Sequence, residues 1–200
     1  MEKTMNIILS TRNPSKAEQI KAVFVDVPVA VLSLADAGIE GEAVEDGATL
    51  EVNSMKKAMF AHRPGQWSMA DDTGLFIDAL GGRPGVYSAR WAGETAKTDE
   101  ITQYTIKQLE GVKDRSATFK TVVALISPEG EQKFFSGEVR GILLDAPRVP
   151  PQPKMPYSPL FVPEGSDKVW AEMTTQEENA ISHRGKAFRL TREHILKLLM

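Results

Sequence analysis

The sequence predicts an α/β protein, and three features point that way. Short apolar runs alternate with stretches of helical spacing through the first half of the chain. Further on, two β-rich runs flank Ser127-Pro128-Glu129-Gly130, a good hairpin turn. The chain then closes on a stretch with helical periodicity.

Taken in order, Asn6–Ser10 is a short apolar run that reads as a strand. Thr11-Arg12-Asn13-Pro14-Ser15-Lys16 follows as a loop, and Ile20, Val23 and Phe24 are spaced to share one helix face. Pro14 suits the first helical turn, where a missing N–H costs nothing, and Asn13 suits the N-cap. Val29–Leu34 reads as a second strand, and Gly38–Asp46 as an acidic loop carrying Glu40, Glu42, Glu45 and Asp46. Thr49–His62 looks helical, with Leu50, Asn53, Lys57 and Ala61 near one stripe. Trp67–Ala70 is a short run ending in Asp71 and Asp72, a carboxylate pair at a strand end. Gly81-Gly82-Arg83-Pro84-Gly85 is a turn, and Thr98–Leu109 reads as a helix capped by Thr98. Ala117–Ile126 and Gln132–Leu144 are the β-rich runs; imperfect alternation of Val139, Ile142 and Leu144 leaves one face of the second wet. Seven prolines from Pro147 to Pro163 exclude a regular element there. Met155, Tyr157, Leu160 and Phe161 in that stretch favour a loop packed over something. Thr175–Asn179 starts a polar helix, and Ala187–Leu199 closes the chain with Leu190, His194 and Leu198 on one stripe.

Composition narrows the function classes. A chain of 200 residues suits one domain, residues 1–200, with enough length to bury a real core. A formal net charge of −3 gives no general attraction to nucleic acid or to an anionic membrane, so neither is expected as a partner. An anionic ligand would need a local basic pocket. The absence of cysteine excludes disulfides, thiolate metal sites and a cysteine nucleophile, and fits a reducing cytoplasm. The N-terminus turns polar too early for a signal peptide or a membrane span.

Three strings carry chemistry. At Ser10–Lys16, a strand–loop–helix junction offers unpaired backbone N–H groups and a basic residue, which bind phosphate readily. It lacks the glycine pattern of a P-loop, and an ordinary β–α turn has the same spacing. Ala70–Gly93 reads ADDTGLFIDALGGRPGVYSARWAG. Its adjacent carboxylates suit a hard cation such as Mg²⁺, which takes a few carboxylate oxygens and leaves room for water and phosphate. Alone, such a pair also describes a solvated turn. Ser182–Arg189 gathers basic groups: either a solvated helix start or an anion or base pocket, with Arg184 offering a planar fork of donors.

Together STRNPSK (Ser10–Lys16), the central string and NAISHRGKA (Asn179–Ala187) resemble the inosine triphosphate pyrophosphatase family, also called the Ham1 or RdgB family, along essentially the whole chain. The resemblance implies a long, twisted, mixed β-sheet flanked by helices, with two lobes and an active-site cleft between them. It implies a homodimer that hydrolyses aberrant purine nucleoside triphosphates (inosine and xanthosine type) to monophosphate and pyrophosphate with Mg²⁺. Carried over by position, Thr11, Arg12, Asn13 and Lys16 belong to the triphosphate loop. Glu45 and Asp72 are the metal carboxylates, Asp72 also serving as base for the attacking water. Thr73 is a substrate contact, Lys57 faces phosphate, Tyr157 lies in the loop over the base, and His183 and Arg184 lie at the nucleobase.

Departures from the family pattern gather at base recognition. The Phe-Gly-Tyr-Asp-Pro stretch is Met155-Pro156-Tyr157-Ser158-Pro159, and expected glycines upstream are Val149, Pro150, Pro151 and Pro153. A lysine common at the base pocket is replaced by Glu178, and a glutamate of the second helix by Val52. Glu178 would accept from an amino group on the base, or point to solvent. Pyrophosphohydrolysis with an altered base preference is the reading that follows. Two others stay open: a hydrolase of a specialised modified nucleotide, and a nucleotide-binding module without catalysis.

Overall fold

Residues 5–200 are described by the structure, a computed structural model; Met1–Thr4, which belong to the N-terminal reading above, lie outside them. Met5–Leu9 (β1) leads through helix α1 (Pro14–Val23) to Val29–Ser33 (β2), which lies parallel to it. Helix α2 (Leu50–Ala61) returns the chain to Trp67–Ile77 (β3), parallel to β1 on its other side. Pro84–Gly85 (β4) pairs with the far end of β3, and helix α3 (Thr98–Gln108) follows. Ser116–Ile126 (β5) and Gln132–Leu143 (β6) form a long hairpin against β3, and Phe161–Pro163 (β7) adds to β6. Helices α4 (Thr175–Ile181) and α5 (His183–Leu199) end the chain. The result is one mixed sheet of seven strands, ordered β2-β1-β3-β5-β6-β7 with β4 off that path.

Strand alternation sorts the long strands onto two faces. On one face Met69, Val123 and Leu125 meet Phe188 and Ile195 of α5 and Ile20 and Phe24 of α1. Farther along the same strands, Leu75, Ile77, Ala117 and Phe119 join Tyr157, Leu160, Phe161 and Trp170 in a second core. Asp71 and Thr73 on β3, and Thr121 on β5, fall between the two cores. That polar interruption divides one sheet into two lobes. The opposite face packs Ala70, Ala124 and Ile126 against Ala58 of α2. Phe188 is fully buried, and its replacement by alanine would cost about 3–5 kcal/mol.

Several local expectations needed correction. Asp71 and Asp72 do not end a strand: β3 runs on through them, because their backbones pair with Val123 and Val122 of β5. The proline-rich stretch is a loop only up to Leu160; β7 forms beyond it, with Pro163 at the strand's last position, where a missing N–H is tolerated. Lys97, not Thr98, caps α3, and Glu100 accepts from the Lys97 N–H at 2.6 Å. Helix α5 starts at His183, not Ala187. Its buried stripe is Phe188, Thr191 and Ile195; Leu190 and Leu198 face solvent, since the helix packs through the face continuous with His183 and Arg184.

Two glycines set where α5 begins. A Cβ on Gly185 would meet the Asn179 carbonyl oxygen at 2.0 Å, and one on Gly137 would meet the His183 carbonyl oxygen at 2.3 Å. Only glycine lets the helix start this close to α4 and β6.

Candidate active site

Beyond Leu9, β1 ends while β3 continues, and β4 meets β3 only at Leu75 and Phe76. The edge of β3 between them, residues 70–74, is therefore open on one side. Asp71 and Asp72 point to opposite faces there, yet both border one cavity of about 470 Å³. Open sheets of this kind bind ligands beyond the C-terminal ends of their parallel strands. Thr11, Arg12, Asn13, Lys16, Glu45, Lys57, Asp72, Thr73, Tyr157, His183 and Arg184 all line this cavity.

The loop after β1 is organised by its own side chains. Thr11 Oγ1 accepts from the Asn13 N–H at 3.2 Å, and Asn13 Oδ1 accepts from the Lys16 N–H at 3.3 Å, which is the expected cap. Lys16 then reaches Asp71 at 3.1 Å. Burial pushes the Lys16 ammonium below its ordinary pKa despite Asp71. Arg12 turns away from the cavity floor: its Nε donates to the Gly41 carbonyl at 2.8 Å, out on the acidic loop.

Lys57 sits between two carboxylates, 2.9 Å from Glu45 Oε2 and 3.0 Å from Asp72 Oδ1. Burial opposes its charge, but Asp72, Asp71 and Glu45 outweigh that and raise its pKa. Asp72 is pushed up by burial in spite of Lys57 and Lys16. Asn53 holds the arrangement together, donating to Asp72 Oδ2 at 3.2 Å and accepting from the Gly47 N–H at 2.8 Å. Among the described residues, no group of three or more His, Asp or Glu side chains converges as a metal cage. Glu45 and Asp72 do converge on one cation, here the Lys57 ammonium, so the donor set fits an ion that brings further ligands of its own.

On the other face, Asp71 accepts from Lys16, from Thr73 at 3.3 Å and from Arg184 Nε at 3.4 Å. Although burial works against it, Lys16 and Arg184 hold its carboxyl far below the ordinary range. Thr73 Oγ1 and Thr121 Oγ1 are 2.7 Å apart, and Thr121 lies 2.6 Å from His183 Nδ1. His183 stacks on Phe119 at 4.9 Å, and burial drives its pKa well below the ordinary value.

The remaining wall is aromatic and comes from the proline-rich loop and from Trp170. Tyr157 is anchored by its hydroxyl, which donates to the Ser88 carbonyl at 2.8 Å. Ser158 Oγ donates to the Met155 carbonyl at 2.8 Å and accepts from the Gln152 N–H at 2.9 Å, so the loop is tied into a compact turn. Among the described residues, the buried Trp170 indole N–H has no hydrogen-bond partner. Leaving such a donor unmet costs about 1–3 kcal/mol.

Sequence reasoning passed over Gln19, Asn53 and Thr121 as site residues. Asn53 and Thr121 are polar residues on otherwise buried stripes, a signal that was available. Gln19 lies one helical turn beyond Lys16, on the same face of α1. Glu178, left open between pocket and solvent, is buried at 4% exposure and lines the cavity. Val52 is exposed on α2 and does not line it.

Comparison with known proteins places these features in a group. The Ham1 family model matches residues 7–194. A protein of Caldanaerobacter subterraneus named dITP/XTP pyrophosphatase is 42% identical over 200 residues, covering 98% of each chain. One of the same name from Geobacter sulfurreducens is 40% identical, covering 94% of this chain and 96% of its own. Among solved structures, the Ham1 protein of Staphylococcus aureus superposes with a TM-score of 0.82 at 30% identity, over 96% of this chain and 98% of that one. A HAM1 protein from Coxiella burnetii gives 0.84 at 31%, over 96% and 99%.

Proposed function

The chain belongs to the Ham1 family, and from that premise we propose that it is a nucleoside triphosphate pyrophosphohydrolase acting on aberrant purine nucleotides. The observation that carries this reading is the paired set Lys16–Asp71 and Glu45–Lys57–Asp72 on both sides of one open strand edge. Lining the cavity are five cationic side chains (Arg12, Lys16, Lys57, Lys154, Arg184) and five acidic ones (Glu42, Glu45, Asp71, Asp72, Glu178). So balanced a cavity exerts little net pull on a polyanionic triphosphate. A divalent cation bound with the nucleotide would supply the missing positive charge.

In this reading Glu45 and Asp72 would hold Mg²⁺, which would supply Lewis-acid and template chemistry for the phosphates. Lys57 leaves its carboxylate bridge for phosphate oxygens, and Lys16 meets the charge that grows on the pyrophosphate leaving group. Asp72 orients the water in line with the α-phosphorus, while Asn53 fixes the carboxylate that does so. The loop from Thr11 to Asn13 receives the phosphates through its side chains and the Arg12 N–H, the N–H groups of Thr11 and Asn13 being taken by the Leu9 carbonyl and Thr11 Oγ1, and Thr73 contacts substrate beside them. The purine lies at the aromatic end, near Tyr157, His183 and Arg184.

The test is pyrophosphate release from a panel of purine and pyrimidine triphosphates, with Mg²⁺ and with chelator. Release from purine nucleotides only when the metal is present is expected; orthophosphate as the sole product, or no turnover of any nucleotide, would refute the reading. We further read the protein as one domain, homodimeric and cytoplasmic, with neither nucleic acid nor membrane as partner. The absence of cysteine and the net charge of −3 support the last points. Among the described residues, no helix is long and apolar enough to cross a membrane.

A further inference from the structure

We propose that Arg90 is a positioning residue for Glu45: it straps the loop between β2 and α2 to the turn after β4, and so keeps the Glu45 carboxylate beside Asp72. The proposal rests on the preceding reading for what Glu45 does there, and adds what holds it.

The loop that carries Glu45 has little structure of its own. Residues 40–48 belong to no helix or strand, and among the described residues none of them makes a backbone–backbone hydrogen bond. Side chains from elsewhere do the holding. Arg12 donates to the Ile39 and Gly41 carbonyls at 3.4 and 2.8 Å, before the stretch in question. Asn53 accepts from the Gly47 N–H at 2.8 Å, after it. Arg90 takes the middle: its Nη2 donates to the Glu45 carbonyl at 2.9 Å.

Glu45 is thus gripped twice, at its carbonyl by Arg90 and at its carboxylate by Lys57. The two grips are not equivalent. In the proposed reaction Lys57 turns to phosphate, and the hold on the carboxylate ends. The Arg90 contact is to main chain, so it persists. Asp72 needs no such help, because its backbone is paired with Val122 inside the sheet.

Arg90 is itself firmly placed. It ends the short 3-10 helix Ser88–Arg90, whose first residue accepts from the Leu75 N–H through Oγ at 2.8 Å and from the Tyr157 hydroxyl through its carbonyl at 2.8 Å. Trp91, the next residue, packs against the core around Leu75 and Ile77. The guanidinium lies 5.2 Å from the centre of the Tyr87 ring, and its Nε is 3.4 Å from Glu94. A planar fork held on one face and at two edges has one orientation left to it. Ile39, at the start of the strapped loop, belongs to a different core with Ile8 and Ala61. The Arg90–Glu45 bond therefore spans two cores. Arg90 does not line the cavity, so its effect on the site passes through Glu45.

Calorimetric binding of the α,β-methylene analogue of ITP, with Mg²⁺ and with chelator, gives the factor by which metal tightens the nucleotide. In Arg90→Gln that factor should fall about tenfold while the metal-free affinity stays unchanged. Arg90→Lys, which keeps the charge but not the fork, should fall between this variant and wild type. Glu45→Gln should reduce the factor at least as much, and Arg90→Gln added to it should change nothing further. An unchanged factor in Arg90→Gln, or in Arg90→Lys if only that variant keeps wild-type Tm, overturns the proposal. An additive loss in the double variant, or an equal loss of metal-free affinity, overturns it too. Amide hydrogen exchange without metal or nucleotide reads the strap directly: residues 42–47 should exchange about fivefold faster in Arg90→Gln than in wild type. Equal exchange would overturn the proposal. If Mg²⁺ leaves analogue binding by the wild type unchanged, the metal role of Glu45 fails, and the exchange rates alone decide the strap.

Discussion

The two ends of the cleft are built differently. At the end proposed for the phosphates, side chains come from strand β3, helix α2, the first turn of α1 and, for Glu45, the acidic loop, and nearly every charge is paired at about salt-bridge distance: Lys16 with Asp71, Lys57 with Asp72 and Glu45. At the end proposed for the base, the wall is a loop tied by Ser158, an aromatic cluster, and the buried carboxylate of Glu178. The first end rests on the sheet that both lobes share, so its geometry cannot drift without disturbing both cores. The second rests on a loop and a short helix, which accept new residues without unfolding the rest. On the proposed function, reaction chemistry and substrate choice are thereby carried by parts with different tolerance to change.

That contrast is broken most directly at Asp72. Asp72→Asn keeps the shape and the Asn53 contact but removes the charge facing Lys57. Turnover should fall by about 10²–10³ for every nucleotide alike, as for the loss of one electrostatic group in an active site. Steady-state kinetics with two purine nucleotides check this, and a selective loss with one base only would mean that the two ends are not separate. The wild-type Tm should be kept within a few degrees.

A milder change tests the other end. Met155 is half-buried in the cavity wall, and Met155→Ala removes cover from the purine without touching the phosphates. Lost apolar contact of about 1 kcal/mol should raise KM roughly fivefold and leave kcat near wild type. A fall in kcat of the same size as the rise in KM would show that loop closure and chemistry are coupled.

The sequence revealed the phosphate end better than the base end, for a physical reason. Ser10–Lys16 and the Asp71-Asp72-Thr73 string are contiguous, and their strand–loop–helix context is itself readable from apolar spacing. Even there the periodicity misled: Asp71 and Asp72 looked like a strand end, because two adjacent carboxylates inside a buried strand are costly unless cations from elsewhere meet them. Lys16 and Arg184, far apart in the chain, supply that partnership, and only the fold brings them together. Gln19 carries no local signature, and Thr121 only that of a polar residue on a buried stripe, which does not name its partner. Their roles follow from α1 and β5 both facing the start of α5, a placement that rests on Gly137 and Gly185. The apolar spacing of Leu190 and Leu198 points to the solvent face of α5, whereas the helix is oriented by its buried first turn.

The smallest effect concerns His183, where the two ends meet. Its ring stacks on Phe119 and contacts Thr121, and burial holds its pKa well below the ordinary 6.5. The unfolded chain takes up a proton near that ordinary value while the folded chain does not. Below it the unfolded state binds more protons, so stability falls as pH drops and rises as pH increases through the same window. Asp72 and Glu178, whose pKa values burial raises, act with the opposite sign, and His194 with the same sign as His183. The slope of the wild type alone therefore mixes these groups, and the informative quantity is the difference from His183→Gln. Between pH 7 and pH 5 the wild type should lose more Tm than the variant, with a difference in slope of at most about 1.4 kcal/mol per pH unit. Parallel Tm profiles would mean that His183 is protonated in the folded protein, which would place a cation beside Arg184 and overturn the account of a neutral ring at the junction.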